Sequence, residues 1–369
     1  MRSLVLLLLP ALLACPQPLP SPADAGLDGG ADAPAPGAAC APLPRFEENV
    51  SACAPLATDY RPRDAMSAND TWPACISDSN VFTPINANIS TVARVAAFED
   101  IAALLWERAE APSATDFVDA RVLYAVDQGL DSRVQRREDI HYAAAPMPCS
   151  TAGIPDQYPD RCAGPTKLLP VLNAAFLAGG QGESPRVNAA RIEAALLWFL
   201  YLSSLSEVMS CTQRPQDCDS SWAYLAGGGP REQPLGLARV VRALGVETSE
   251  RAYDAVLAVR CWRALDNQTG VAMDLARRDL ARDQLDRALL RGVALVVRQK
   301  VTEVPCSTGS VQEARLAFLN TLAPWLDRAA RERDPVLANQ LQTQLSATTA
   351  AGLDVTAATA ALDGLFACP

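Results

Sequence analysis

Beyond residue 90 the apolar positions recur at helical spacing. Val95, Phe98, Ala102, Leu105 and Ala109 step by three and four, which places them on one face of a helix. Ser90 or Thr91 is expected to cap its start and Ala111-Pro112 to stop it. Ser113 and Asp116 have capping-box spacing at the head of a second helix, with Gly129 as its stop. Residues 143–166 are rich in proline and read as a loop. A short helix over 169–178 follows, with Pro170 in its first turn and Gly179-Gly180 at its end. Ser184 and Pro185 have the order of an N-cap and a first helical residue. The run Ala194 to Leu202 is then apolar without a break except for the Tyr201 hydroxyl. A helix apolar all round is a core helix enclosed by others.

Three further signals extend the helical pattern. Ser310 and Glu313 have capping-box spacing before a helix that Pro324 is expected to break or kink. Asp334-Pro335 reads as the start of the next. Over 270–301, Ala281, Leu285, Ala288, Leu289, Gly292 and Val296 share one face. The other face carries Asp274, Arg278, Arg282 and Asp286, then Asp279, Asp283, Arg287 and Arg291, at steps of four, and reads as solvated. No alternating pattern of strand length appears. The expected fold is all-α, a disulfide-stapled helical bundle after an unstructured N-terminal tether.

The N-terminus departs from this pattern. Arg2 precedes a ten-residue apolar run, Leu4 to Leu13, which is too short to span a bilayer and has signal-peptide proportions. It ends in Leu12-Leu13-Ala14-Cys15, which resembles the lipobox of bacterial lipoproteins. That resemblance implies cleavage after residue 14, acylation of Cys15 and anchoring to a membrane. Pro16 rather than Asp after the cysteine implies the outer one. Residues 15–44 form the acylated end and a linker: Pro, Ala and Gly make up twenty of the 29 residues over 16–44, a composition that cannot bury enough apolar surface to order itself. Residues 45–90 read as an irregular segment pinned by disulfides, and residues 91–369 as the helical domain.

The cysteine count fits export. Eleven cysteines less Cys15 leave ten, an even number that reads as about five disulfides. Cys211–Cys218 and Cys149–Cys162 are expected local pairs, since each brackets a short polar stretch containing proline; the remaining connectivity stays open. No Cys-x-x-Cys spacing suggests a thiolate metal site. The formal net charge of −10 argues against a nucleic-acid partner. A single histidine excludes any site built on two. With no Gly-x-Ser-x-Gly elbow and no phosphate loop, no enzymatic constellation is recognisable.

The candidate chemistry lies in carboxylates on apolar helices. Glu193 and Glu207 flank the core helix fourteen residues apart, within about 40° of one face. Each must be paired, protonated or metal-bound if buried, with Arg191 and the stretch around Arg260 and Arg263 as candidate partners. Asp217, Asp219, Trp222 and Tyr224 form a second cluster, read either as helix capping and core packing or as a carboxylate-and-tyrosinate wall of a pocket. Asp254, Arg260 and Arg263 are candidates for the opposite wall. His141 could join Asp139 or Glu138 in a mixed oxygen/nitrogen metal site, against the simpler reading of a surface or loop histidine. The stretch from Ile192 to Gly236, with Glu193, Glu207, Asp217, Asp219, Trp222-Ala223-Tyr224 and Pro234-Leu235-Gly236, resembles low-iron-inducible periplasmic (iron-assimilation) proteins. That resemblance implies extracytoplasmic metal handling with iron as the cofactor or cargo, through Glu193, Glu207, Asp217, Asp219 and Tyr224. The alternative is a structural or protein-interaction lipoprotein whose partner is another envelope protein.

Overall fold

The computed structural model describes residues 40, 50, 52–62, 72–126 and 129–369. The signal segment 1–14, Cys15 and all of the linker except Cys40 lie outside the described residues. Among the described residues the chain forms thirteen α-helices and no strand. In chain order they are α1 (Thr91–Leu105), α2 (Ala114–Ala125), α3 (Asp131–Val134), α4 (Ile154–Gln157), α5 (Leu169–Gly180), α6 (Pro185–Ser210), α7 (Asp217–Ala226), α8 (Gly236–Leu244), α9 (Val246–Leu265), α10 (Leu275–Glu303), α11 (Gly309–Arg333), α12 (Pro335–Leu345) and α13 (Val355–Leu365).

Helix α6 is the axis of the bundle. Every residue from Ala194 to Leu205 is buried. By length and composition α6 could cross a membrane, yet its most apolar window is 83% buried inside the protein. Its neighbours α5, α7 and α11 cover it, α9 pairs with α10 beside it, and α12 and α13 close the far side. Tight passages exist where small residues meet rings: a Cβ on Gly179 of α5 would lie 2.2 Å from the Phe117 ring of α2.

Several ends form as their residues dictate. Ser113 accepts from the Asp116 N–H while the Asp116 carboxylate accepts from the Ser113 N–H, a complete capping box. Asp334 accepts from the N–H groups of Val336 and Leu337, and Pro335 opens α12. Gly227 ends α7 at φ 66°, a left-handed turn that suits glycine, so the Gly227–Gly229 run is a helix stop.

Other ends differ from the pattern. α1 stops at Leu105, and Ala109 is exposed beyond it. Ser184 takes a left-handed conformation and makes no side-chain cap, so Pro185 alone marks the start of α6. Ser310 lies inside α11, whose N-cap is Thr308, so Ser310 and Glu313 form no capping box. Pro324 does not break α11. Leu316, Leu319, Leu322, Ala323 and Leu326 are buried along that helix, and this packing outweighs the lost hydrogen bond, about 3 kcal/mol. The polar face of α10 is only partly solvated. Arg278 and Arg282 pair with Asp279, but Arg291 is buried and donates to the Phe366 carbonyl, and Asp286 reaches inward.

Five disulfides staple the domain. Cys149–Cys162 and Cys211–Cys218 are the two local pairs. Cys75–Cys261, Cys40–Cys306 and Cys53–Cys368 tie the irregular N-terminal stretch to α9, to the turn after α10 and to the C-terminus.

Candidate functional site

A polar cavity opens where four chain segments meet. α1 brings its first turn, with Ser90 and Thr91, and α6 brings its last, with Ser206, Glu207 and Ser210. α7 brings Asp217 and Asp219 from its first turn. The stretch through α3 brings Arg133, Arg136 and Arg137. The Cys211–Cys218 disulfide closes the α6–α7 connection and holds Arg214 at the rim. The cavity measures about 360 Å³ and is lined by four guanidinium groups against three carboxylates.

The carboxylates are all engaged. Glu207 accepts from Arg137 at 3.3 Å and from the Ser210 hydroxyl at 3.3 Å. Asp217 is ion-paired with Arg214 at 3.0 Å, although the same Oδ2 is buried without a hydrogen bond. Asp219 accepts from the N–H of Ile85 at 2.9 Å and of Asn86 at 2.8 Å, which clamps the strap before α1 onto α7. It therefore serves that strap and does not cap its own helix. Burial raises the Asp219 pKa, against those two N–H donors and the nearby charge of Arg260.

Two of the arginines are not engaged in this way. Among the described residues neither Arg133 nor Arg136 has a carboxylate partner; Arg136 gives its Nε to the Ser132 carbonyl at 2.8 Å. Arg137 is buried, with its guanidinium over the rings of Phe199 and Tyr224 at 5.5 and 5.4 Å. The Nε atoms of Arg133 and Arg137 are buried without a hydrogen-bond partner.

The five proposed metal ligands do not converge. Glu207, Asp217 and Asp219 line the cavity, but Glu193 lies fourteen residues up α6, about 21 Å of helical rise away. Sharing a face does not bring side chains together along the axis. The partner of Glu193 is Lys300 of α10, at 2.9 and 3.0 Å, with the ammonium over the Phe318 ring; Arg191 turns to Asn188 instead. Glu193 borders a separate cavity of about 150 Å³ with Trp106 and Arg315. Tyr224 packs edge-on against Phe199, and burial pushes its phenol pKa up, which disfavours a tyrosinate. Among the described residues no group of three or more His, Cys, Asp and Glu side chains is placed to hold a metal ion.

The other candidates are dispersed too. Asp254 lies in another cavity, paired with Arg231 at 2.6 Å; burial lifts its pKa to about 6, against the pull of that arginine. Arg260 is buried behind Asp219 and donates to the Thr83 carbonyl at 2.6 Å. Arg263 holds the turn after α9 through the carbonyls of Asp266 and Gly270. These residues form no opposite wall. His141 is not a solvated loop side chain. Its Nδ1 meets Asp139 at 2.7 Å and its Nε2 meets Asp286 at 3.1 Å, while the Tyr201 hydroxyl donates to Asp286 at 2.7 Å.

No family model, curated protein or solved structure matches this chain.

Proposed function

We propose that this chain is an exported protein held at a membrane by a lipid on Cys15, and that its helical domain is a non-catalytic binding unit. The cysteine accounting carries the reading. Ten of the eleven cysteines are joined in five disulfides, and the eleventh is Cys15, at the end of the signal-like apolar run. Disulfides on this scale persist in oxidising compartments outside the cytoplasm. A cysteine left over from an otherwise even set, following Leu12-Leu13-Ala14, suits acylation. Two acyl chains give stable anchoring that one does not. Pro16 after the cysteine supports the outer membrane, and the Pro- and Ala-rich linker would hold the domain off its surface.

Binding is favoured over catalysis because, among the described residues, the one hydroxyl–carboxylate contact in the polar cavity, Ser210 to Glu207 at 3.3 Å, is made to a carboxylate already held by Arg137, and no histidine or cysteine thiol joins it. The cavity's hydroxyls face arginines and engaged carboxylates, and the one histidine lies outside its lining. It is favoured over metal handling because the acidic residues are separated or committed to N–H groups and arginines. Metabolic labelling with a radioactive fatty acid tests the anchor. The wild-type chain is expected to take up label and the Cys15→Ala variant to take up none. Persistent labelling of the variant would refute the anchor.

A further inference from the structure

We propose that the cavity between α1, α3, α6 and α7 binds a small oxyanion, a carboxylate or phosphate group, through Arg133, Arg136 and Arg137. This rests on reading the helical domain as a binding unit and gives its ligand a charge and a chemistry.

The first support is the imbalance of partners. Glu207 and Asp219 are hydrogen-bonded within the protein and Asp217 is ion-paired with Arg214, although its Oδ2 makes no hydrogen bond; half-buried Arg133 and exposed Arg136 have no carboxylate partner among the described residues. The Nε atoms of Arg133 and Arg137 are buried with nothing to accept from them. Those two Nε atoms are closed off from the cavity, so a ligand would meet the terminal guanidinium nitrogens of the arginines that line it. Guanidinium groups present paired, planar donors that match carboxylate and phosphate oxygens.

The second support is the helix that points into the site. α1 begins at the cavity; Ser90 provides no side-chain cap and no acid lies in its first turn. The positive end of its dipole therefore adds to the four arginines that face three carboxylates across the cavity.

The third is the neighbouring Arg94, buried behind Thr91, to whose hydroxyl it donates at 3.3 Å. Its pKa is lowered by burial first, and the like charges of Arg133 and Arg136 lower it further, against Tyr224 and Glu207. An anion among these groups would relieve that crowding. The cavity volume of about 360 Å³ suits a small molecule. The molecule as a whole carries −10, so long-range attraction does not draw an anion in. Recognition is then short-range and falls with added salt.

Calorimetric titration of the oxidised full chain at low ionic strength tests this, with inorganic phosphate, citrate and calcium chloride as probes. The expected result is saturable one-to-one binding of phosphate or citrate. The tighter of the two tells whether phosphate or carboxylate is the natural group. Arg133→Gln should weaken that binding about tenfold while the melting temperature stays unchanged, because this half-buried side chain makes no ion pair. Binding undiminished in Arg133→Gln would place the anion elsewhere and overturn the inference. Binding of calcium alone would also overturn it while leaving the cavity as a ligand site. No binding by any probe would overturn both the oxyanion and the cavity's role, a result separable from the outcome of labelling at Cys15.

Discussion

His141 shows how one residue can take a role its sequence context conceals. Burial works against its charged form, but the hydrogen bonds that its ring N–H groups donate to Asp139 and Asp286 outweigh it and raise its pKa from 6.5 to about 9. Asp286 is lowered in turn: burial raises it, and the His141 contact more than compensates. His141 gains a charged partner on folding, so its contribution is fully present below pH 6.5 and is lost as pH rises through about 9. The size is on the order of 3 kcal/mol. Urea unfolding of the wild type should lose that much between pH 6.5 and 9, and His141→Gln should lose much less. An equal slope in both would contradict the assignment. The sequence set Asp139, two residues away, beside His141 only as a possible shared metal ligand, not as its direct partner. The pairing with Asp286 was not legible, because it spans 145 residues and depends on α10 docking beside α6. The arginines of the cavity left a visible trace, three in the five residues from Arg133 to Arg137, but sequence does not show that Arg137 takes Glu207 while Arg133 and Arg136 have no carboxylate partner among the described residues.

At the scale of elements, local chemistry was legible where side chain and backbone settle the matter between them. The Ser113 capping box, the Asp334-Pro335 start and the Gly227 stop all follow from neighbours within a few residues. Legibility ended where packing overrides local preference. Pro324 stays inside α11 because that helix lies along α6, and Glu193 pairs with a lysine 107 residues away. The contact of α5 with α2 gives a direct check. Gly179→Val would push a side chain into the Phe117 ring, which a built Cβ already approaches to 2.2 Å. Overpacking of this kind costs about 1–3 kcal/mol. Urea denaturation should show a loss in that range with an unchanged denaturant slope. A neutral result would mean that α2 is free to move away from α5.

The molecule as a whole combines a helical core with covalent ties across its length. All-α architecture was legible because helical periodicity is a local property repeated many times. The two local disulfides were legible from spacing, the three long ones were not, since many pairings satisfy the same count. Cys53–Cys368 joins residues 315 apart, and its removal releases the C-terminal stretch beyond the Cys40–Cys306 bridge in the unfolded state. A double Cys53→Ser, Cys368→Ser variant should lose about 4 kcal/mol against denaturant, less whatever the other staples already restrain. The same cysteines bear on the account of the molecule's place in the cell, because they leave only Cys15 without a pairing role. Mass spectrometry of the N-terminal peptide from membrane-extracted protein tests this most directly. The account predicts a peptide that begins at Cys15 and carries the added mass of acyl chains. A peptide that retains residues 1–14, or that begins elsewhere with no lipid, would contradict it.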